Sequence, residues 1–136
     1  MKIAGYNCRG LGNRPAVGGL LALQKKEDPD ILFLSETKLK KKRMEKFRNM
    51  LGMQGMIAKD CDGKSGGLAM FWKRGVDVGL RWMGRMHIDV NITETDGFKW
   101  RLTGIYGEPR QDKREETAPH SSLASKFAVA MHWGFQ

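Results

Sequence analysis

Short apolar runs and amphipathic segments follow one another through about the first fifty residues of the chain. Residues 2–7 (KIAGYN) and residues 31–36 (ILFLSE) are apolar runs of strand length, and the second is continuous, which is typical of a strand buried on both faces. Apolar residues at helical spacing predict a helix over residues 15–27, with Asn13 placed to cap it. Similar spacing predicts a second helix over roughly residues 40–51.

After residue 51 the pattern changes from helical spacing to alternation of apolar and polar residues, broken by short turns. Alternation with a period of two is typical of strands that have one face buried. The order of strand, helix, strand, helix and then several strands indicates an α/β (α+β) fold, with a mixed sheet carrying helices on one face or with two stacked sheets. The later predicted strands cover residues 54–60, 68–73, 76–82, 87–93 and 98–107.

The last part of the chain differs from the rest. From residue 108 the sequence is polar (EPRQDKREETAPHSS) and predicts a loop, and the apolar segment that follows has no clear period. We therefore expect residues 1–110 to belong to one folded unit and residues 111–136 to form a divergent, poorly ordered tail.

Composition and charge narrow the class of partner. The chain has 136 residues, of which 40% are hydrophobic, so it can form a core in one domain or part of one. Its net charge of +9 favours a polyanionic partner, and nucleic acid is the commonest one. Cys8 and Cys61 form neither a CxxC motif nor a zinc spacing, so we expect free thiols. The polar amino terminus and the lack of a long apolar run predict a soluble, intracellular protein with no membrane partner.

Asn7 and Glu36 each stand at the end of a predicted strand. If these strands are parallel neighbours joined by the first helix, both side chains emerge at one sheet edge, where ligands bind in such sheets. A carboxylate and a carboxamide could hold one Mg²⁺ and a phosphate oxygen there, because Mg²⁺ takes few carboxylates and keeps waters and substrate phosphates. Alternatively, Asn7 caps a turn and Glu36 pairs with Lys38 or Lys40 on the surface.

Three other features allow a chemical and a structural interpretation. Residues 65–67 (SGG) could present backbone N–H groups to a phosphate or form a plain hairpin turn. Tyr106 could contact a phosphate, stack on a base, or pack half-buried at a strand end. His87 and Asp89 flank an apolar residue, either as an acid/base pair or as two polar residues on the solvated face of a strand.

Basic residues are concentrated after Glu36. Seven lysines and arginines stand between residues 38 and 48, against one glutamate. This excess indicates a surface that follows a phosphate backbone, with a merely solvated helix face as the alternative.

An ordered set of five segments runs through about the first 110 residues: YNCRGLGN, PDILFLSETKL, KSGGLAMFW, HIDV and WRLTGIYGEP. Together they resemble the amino-terminal half of the endonuclease/exonuclease/phosphatase superfamily, and most closely the endonuclease domain of plant non-LTR (LINE-type) retrotransposon polyproteins. The resemblance implies a four-layer α/β sandwich, with two mixed sheets flanked by helices. It also implies a Mg²⁺-dependent phosphodiesterase that nicks DNA, located in the nucleus.

The resemblance further implies roles for individual residues. Asn7 is similar to an active-site asparagine that contacts the scissile phosphate, Glu36 to the metal-binding glutamate of an ET motif, and Tyr106 to a tyrosine that touches the phosphate. The implied cofactor is Mg²⁺, with no other small-molecule cofactor, and the implied partner is DNA, with RNA as the alternative. The residues expected to contact nucleic acid are Arg9, Lys38, Lys40, Lys41, Lys42 and Arg43.

The chain also departs from the family pattern. The family continues to a GDFN-type motif that positions the attacking water and to an SDH-type motif that carries the general base, and this sequence contains neither. Residues 133–136 (WGFQ) stand at about the distance of the first motif but contain no Asp and no Asn. We therefore expect the amino-terminal half of the fold, truncated at its carboxyl end and catalytically incomplete. The alternatives are a catalytically dead, basic nucleic-acid-binding module and a degenerate product without a function.

Overall fold

Ten helices and strands make up the part of the chain that the computed structural model describes, residues 1–106 and the backbone of 127–133. The first nine follow the predicted order, with ends within two residues of the predicted ones. The predicted polar loop after residue 107 lies outside the described residues. The elements are β1 (Ile3–Asn7), α1 (Arg14–Glu27), β2 (Ile31–Ser35), α2 (Lys41–Met50), β3 (Gly55–Lys59), β4 (Leu68–Trp72), β5 (Asp77–Met83), β6 (His87–Thr93), β7 (Lys99–Tyr106) and β8 (Phe127–Trp133).

The first sheet is mixed and has the strand order β1-β2-β4-β3. Strands β1 and β2 are parallel, in a register that runs from Ile3 opposite Ile31 to Asn7 opposite Ser35. Strand β4 is antiparallel to both of its neighbours. The pairing of β1 with β2 confirms the predicted parallel neighbours, and it brings their carboxyl ends to one edge of the sheet.

Both described helices cover the outer face of the first sheet. The side chain of Asn13 accepts a hydrogen bond from the backbone N–H of Ala16 at 2.9 Å, which confirms the predicted cap of α1. Helix α2 has no such cap from its own preceding residue, and the carboxylate of Asp60 instead accepts from the backbone N–H of Lys41 at 2.6 Å. Neither helix is long and apolar enough to cross a membrane.

The second sheet has the strand order β5-β6-β7-β8 and is antiparallel throughout its described strands, so the expectation of a second mixed sheet was wrong. Short turns join β5 to β6 and β6 to β7, and such turns produce antiparallel hairpins, whereas parallel neighbours need a long crossover. Strand β8 was not predicted, because its sequence lacks the alternation by which the other strands are recognised. The boundary at residue 110 stays a prediction.

The two sheets pack face to face, and the structure is the expected α/β sandwich of two sheets and two helices. All five residues of β2 are buried, as its continuous apolar run predicted, because one face meets the helices and the other meets the second sheet. The cluster between the sheets comprises Ile31, Phe33, Leu68, Met70, Ile88, Val90, Ile92, Trp100 and Leu102. The cluster beneath the helices includes Leu20, Leu32, Leu34, Met44, Phe47 and Phe71.

The outer face of the second sheet carries polar side chains that form a network. The carboxylate of Asp89 accepts three hydrogen bonds from Arg101, at 2.7, 3.0 and 3.2 Å, and one from the hydroxyl of Thr103 at 3.2 Å. His87 instead stacks on Trp82. The two residues therefore do not form an acid/base pair, and that interpretation was wrong because neighbouring strands supply each of them with another partner.

The Asp89 network predicts a pH-dependent contribution to stability. Burial acts to raise the pKa of the Asp89 carboxyl, but hydrogen bonding and charge from Arg101, with Thr103 and Arg81, outweigh it and hold that pKa below its usual range. A lowered folded-state pKa stabilises the fold at pH values above the unfolded pKa, and this contribution is lost as the pH falls through the folded one. We expect Asp89→Asn to lower the free energy of unfolding at pH 7, and we expect its difference from the parent chain to shrink as the pH falls below the usual aspartate pKa.

Urea unfolding followed by circular dichroism between pH 7 and pH 2.5 measures this difference. Asp77→Asn changes an exposed carboxylate on the same sheet and is the matched control. If the free energies of unfolding of Asp89→Asn and the parent differ by the same amount at every pH, the prediction is contradicted.

Candidate active site

Parallel pairing brings Asn7 and Glu36 together at the carboxyl ends of β1 and β2. The pairing continues past the strands, because the backbone N–H groups of Cys8, Gly10 and Leu11 donate to the carbonyls of Ser35, Glu36 and Thr37, at 2.8, 2.7 and 3.0 Å. The two loops are therefore held against each other by backbone hydrogen bonds, and the side chains that leave them share a fixed edge.

Three predicted site residues meet at one carboxylate oxygen. The side-chain amide of Asn7 donates to Oε2 of Glu36 at 3.3 Å, and the hydroxyl of Tyr106 donates to the same oxygen. The backbone N–H of Arg9 donates to Oδ1 of Asn7 at 3.1 Å, which fixes the amide so that its Nδ2 faces the glutamate. Asn7 and Tyr106 thus converge on Glu36, although they lie 29 and 70 positions from it in the sequence.

Tyr106 reaches this edge from the second sheet. It is the last residue of β7, and its backbone N–H donates to the carbonyl of Met86 at 2.6 Å, in the turn between β5 and β6. Its half-buried ring packs against the core between the sheets. Tyr106 therefore combines the packing role and the polar contact that the sequence left as alternatives, and it links the two sheets at the site.

The two loops that follow β1 and β2 have a strained backbone. Arg9, Glu36 and Lys38 have φ values of 51°, 52° and 57°, in the left-handed region that non-glycine residues seldom adopt. Each such residue costs on the order of 1 kcal/mol or more, and it persists only where the surrounding structure fixes it. Backbone strain of this kind is common at functional sites, and here it surrounds the carboxylate.

The glycine turn before β4 supports the second of these loops, the one that carries Glu36. The carbonyls of Gly66 and Gly67 accept hydrogen bonds from the backbone N–H groups of Lys38 and Thr37, at 2.8 and 3.2 Å. Gly67 has a φ of +94°, and a Cβ there would lie 2.3 Å from Oγ1 of the fully buried Thr37. The sequence offered a phosphate-binding loop or a plain turn for these glycines. Their carbonyl contacts show a turn that holds the Glu36 loop, a role that sequence reasoning missed.

The charge of Glu36 acts on its buried neighbour Cys8. Burial raises the pKa of the Cys8 thiol well above its usual range, and the negative charge of Glu36 raises it further. Cys8 is therefore a neutral packing group, in agreement with the expectation of a free thiol.

The site is chemically suited to a hard cation. Among its three converging side chains Glu36 supplies the one anionic oxygen ligand, to which Asn7 and Tyr106 donate, whereas Zn²⁺ sites in proteins are usually built from Cys and His. Within the described residues there is no cluster of three or more His, Cys, Asp or Glu side chains that could hold a metal. A cation with one protein carboxylate would keep waters or substrate oxygens in its other positions, which is the coordination that Mg²⁺ favours.

All six residues predicted to contact nucleic acid are exposed. Arg9 and Lys38 follow Asn7 and Glu36 by two positions each, so they belong to the two loops at this edge of the sheet. Lys40 donates from Nζ to the carbonyl of Cys61 at 3.1 Å. Lys41, Lys42 and Arg43 form the first turn of α2.

A cavity of about 240 Å³ opens beside Tyr106, one of the three converging residues. Arg85 and Met86 contribute to it, and the sequence gave no signal for either, because only the register of β6 with β7 places this turn next to Tyr106. The cavity is lined by Lys59, Asp60, Asp62, Ser65, Gly66, Gly67, Arg85, Met86 and Tyr106.

Two solved structures show which fold this is. AP endonuclease LMAP from Leishmania major superposes with a TM-score of 0.60 at 17% identity, over 85% of this chain and 43% of that protein. The APE2 catalytic domain from Xenopus laevis superposes with a TM-score of 0.50 at 17% identity, over 85% of this chain and 48% of that one. No family model and no curated protein matches the sequence. The chain therefore has the fold of these endonucleases and spans less than half the length of either structure.

The support from Gly67 can be tested by substitution. We expect Gly67→Ala to lower the free energy of unfolding by about 1–3 kcal/mol, because a side chain there is strained by its φ and collides with Thr37. Gly63, in the same turn, has a φ of +61° and open space around it. Gly63→Ala therefore measures the cost of the backbone conformation alone, without a collision. Urea unfolding compares the two variants, and equal losses would show that contact with Thr37 does not matter.

Proposed function

We propose that this chain forms the metal- and phosphate-binding part of a Mg²⁺-dependent phosphodiesterase site that acts on DNA. The observation that carries the proposal is the convergence of Asn7 and Tyr106 on one oxygen of Glu36, at an edge whose two loops carry the exposed Arg9 and Lys38. The fold shared with two AP endonucleases supports it.

Each of the three side chains has a distinct task in this proposal. Glu36 supplies the one negative charge that binds the cation. Asn7 and Tyr106 donate to the carboxylate and hold it in position, and both are neutral, so an anionic phosphate meets no second carboxylate among them. Mg²⁺, when bound, supplies Lewis-acid polarisation of a phosphoryl oxygen.

The exposed basic residues provide the attraction that brings nucleic acid to this edge. Lysine and arginine side chains that neutralise backbone phosphates release counterions, which gives affinity without sequence preference. The first turn of α2 carries three of them, and the net charge of +9 favours a polyanion over the whole chain.

We propose further that these 136 residues bind DNA but do not hydrolyse it by themselves. The sequence contains no GDFN-type and no SDH-type motif, and loss of a general base alone lowers rates by about 10²–10⁴. The order of the five resembling segments supports an origin among plant LINE-type retrotransposon endonucleases, with a nuclear location.

Glu36→Ala tests the metal site. We expect the parent chain to bind a labelled DNA hairpin more tightly with Mg²⁺ than with EDTA, and we expect this Mg²⁺-dependent gain to disappear in the variant, because the metal-binding carboxylate is gone. Fluorescence anisotropy at fixed ionic strength measures both affinities. Glu45→Ala removes an exposed carboxylate from α2 and is the matched control.

A Mg²⁺-dependent gain that survives in Glu36→Ala would contradict the proposed metal site. The same proteins can be incubated with supercoiled plasmid and Mg²⁺, where we expect no nicking. Nicking that requires Mg²⁺ and is lost in Glu36→Ala, but kept in Glu45→Ala, would support the site and contradict the proposal that the chain is catalytically incomplete.

The basic surface is tested by the salt dependence of DNA binding. We expect the double variant Lys41→Ala with Lys42→Ala to reduce the slope of log K against log[salt] by about 2, since each phosphate contact contributes about 0.9 on B-DNA. Lys25→Ala with Lys26→Ala removes two exposed lysines from the last turn of α1 and is the charge-matched control. Equal slopes for the two double variants would indicate non-specific attraction by net charge only.

A further inference from the structure

A pair of stacked aromatic rings lies on the outer face of the second sheet. The rings of Trp82, in β5, and His87, at the start of β6, have centroids 4.3 Å apart and are nearly parallel, at 9°. Trp82 is 57% exposed although His87 covers one face of its ring. The opposite face of the indole is therefore available to a third ring.

The turn between β5 and β6 is built to allow this stacking. The backbone N–H of Gly84 donates to the carbonyl of His87 at 2.9 Å and closes the turn. A Cβ at Gly84 would lie 2.6 Å from Cζ3 of Trp82 and 3.1 Å from Cε1 of His87. Any larger residue would displace one of the rings, so the aromatic pair depends on glycine at this position.

The surroundings of the pair are basic. An open concavity of about 670 Å³ is lined by both rings together with Leu80, Arg81, Asp89, Asn91 and Arg101. Among the described residues that line it, Asp89 is the one carboxylate, and it is paired with Arg101 at 2.7 Å and with Arg81 at 3.6 Å. Two arginines against one carboxylate leave a positive charge beside an exposed indole.

The aromatic pair adjoins the candidate active site through the same turn. Met86 accepts the backbone hydrogen bond from Tyr106 and, with Arg85, lines the cavity beside that tyrosine, whose hydroxyl donates to Glu36. His87 is the next residue along the chain, and its side chain lies on the other face of the sheet. A strand of nucleic acid that passes the exposed Arg85 could therefore reach both places.

We propose that Trp82, backed by His87, stacks an unpaired base of single-stranded nucleic acid whose backbone extends past the Glu36 site. This inference rests on the proposed function and adds a substrate feature to it, namely an unpaired nucleotide next to the bound phosphate. Stacking on an aromatic ring suits any base, because every base has a π face, and nearby arginines attract the backbone. A base inside a duplex is already stacked and cannot use the platform.

Binding of fluorescein-labelled 16-nucleotide oligo(dT) and of a 16-base-pair duplex to the full chain tests this inference, by anisotropy in EDTA at low salt. We expect Trp82→Ala to weaken binding of the single strand by about 5- to 100-fold, the range that loss of one stacked base produces, and to change duplex binding little. Phe98→Ala, an exposed aromatic at the opposite end of the sheet, is the matched control and should bind like the parent. Trp82→Phe should retain part of the affinity and lose most of the tryptophan quenching that oligo(dT) causes in the parent.

The possible outcomes separate this inference from the proposed function. If Trp82→Ala binds the single strand as the parent does, while Lys41→Ala with Lys42→Ala weakens both ligands, the base platform is wrong and the proposed function stands. If the parent binds neither ligand at low salt, the proposed function fails and this inference fails with it. If Trp82→Ala converts a self-associating chain to a monomer in sedimentation velocity and leaves DNA binding intact, the surface binds a second copy instead.

Discussion

The parallel pairing of β1 with β2 is the constraint on which the candidate site depends. It aligns Asn7 with Ser35, and three further backbone hydrogen bonds extend the alignment into the loops beyond. Glu36 then emerges beside Asn7, although 29 positions separate them. Burial of β2 on both faces fixes this register, because a shift of one residue would turn apolar side chains from one core to the other and misplace the carboxylate.

Stability and function compete in the loop that carries Glu36. Left-handed backbone at Glu36 and Lys38 is unfavourable, and the carbonyls of Gly66 and Gly67 help to hold it in place. The second sheet contributes Tyr106, so the site also depends on contact between the sheets. Strained geometry that is supported from several directions is preorganised, and under the proposed function a preorganised carboxylate needs little rearrangement to bind a cation.

The local pattern of the sequence predicted the first nine elements, because apolar periodicity records which face of each element is buried. It also predicted that Asn7 and Glu36 share an edge of the sheet, because each residue ends a strand of the same predicted βαβ unit and the two strands of such a unit are parallel. The contribution of Tyr106 came from resemblance, because nothing local places residue 106 beside residue 36. The roles of Gly67, Arg85 and Met86 depend on which distant strands pair and in what register, so local pattern could not predict them. Strand β8 was missed for another reason, because its sequence shows no alternation of apolar and polar residues.

Anomalous diffraction from crystals of the chain soaked in MnCl₂ tests the central claim most directly, because Mn²⁺ occupies oxygen-rich Mg²⁺ sites and can be located by its scattering. The account predicts an anomalous peak bonded to a carboxylate oxygen of Glu36, and no such peak there in Glu36→Ala. A peak at Asp60 or Asp62, with none at Glu36, would contradict the account.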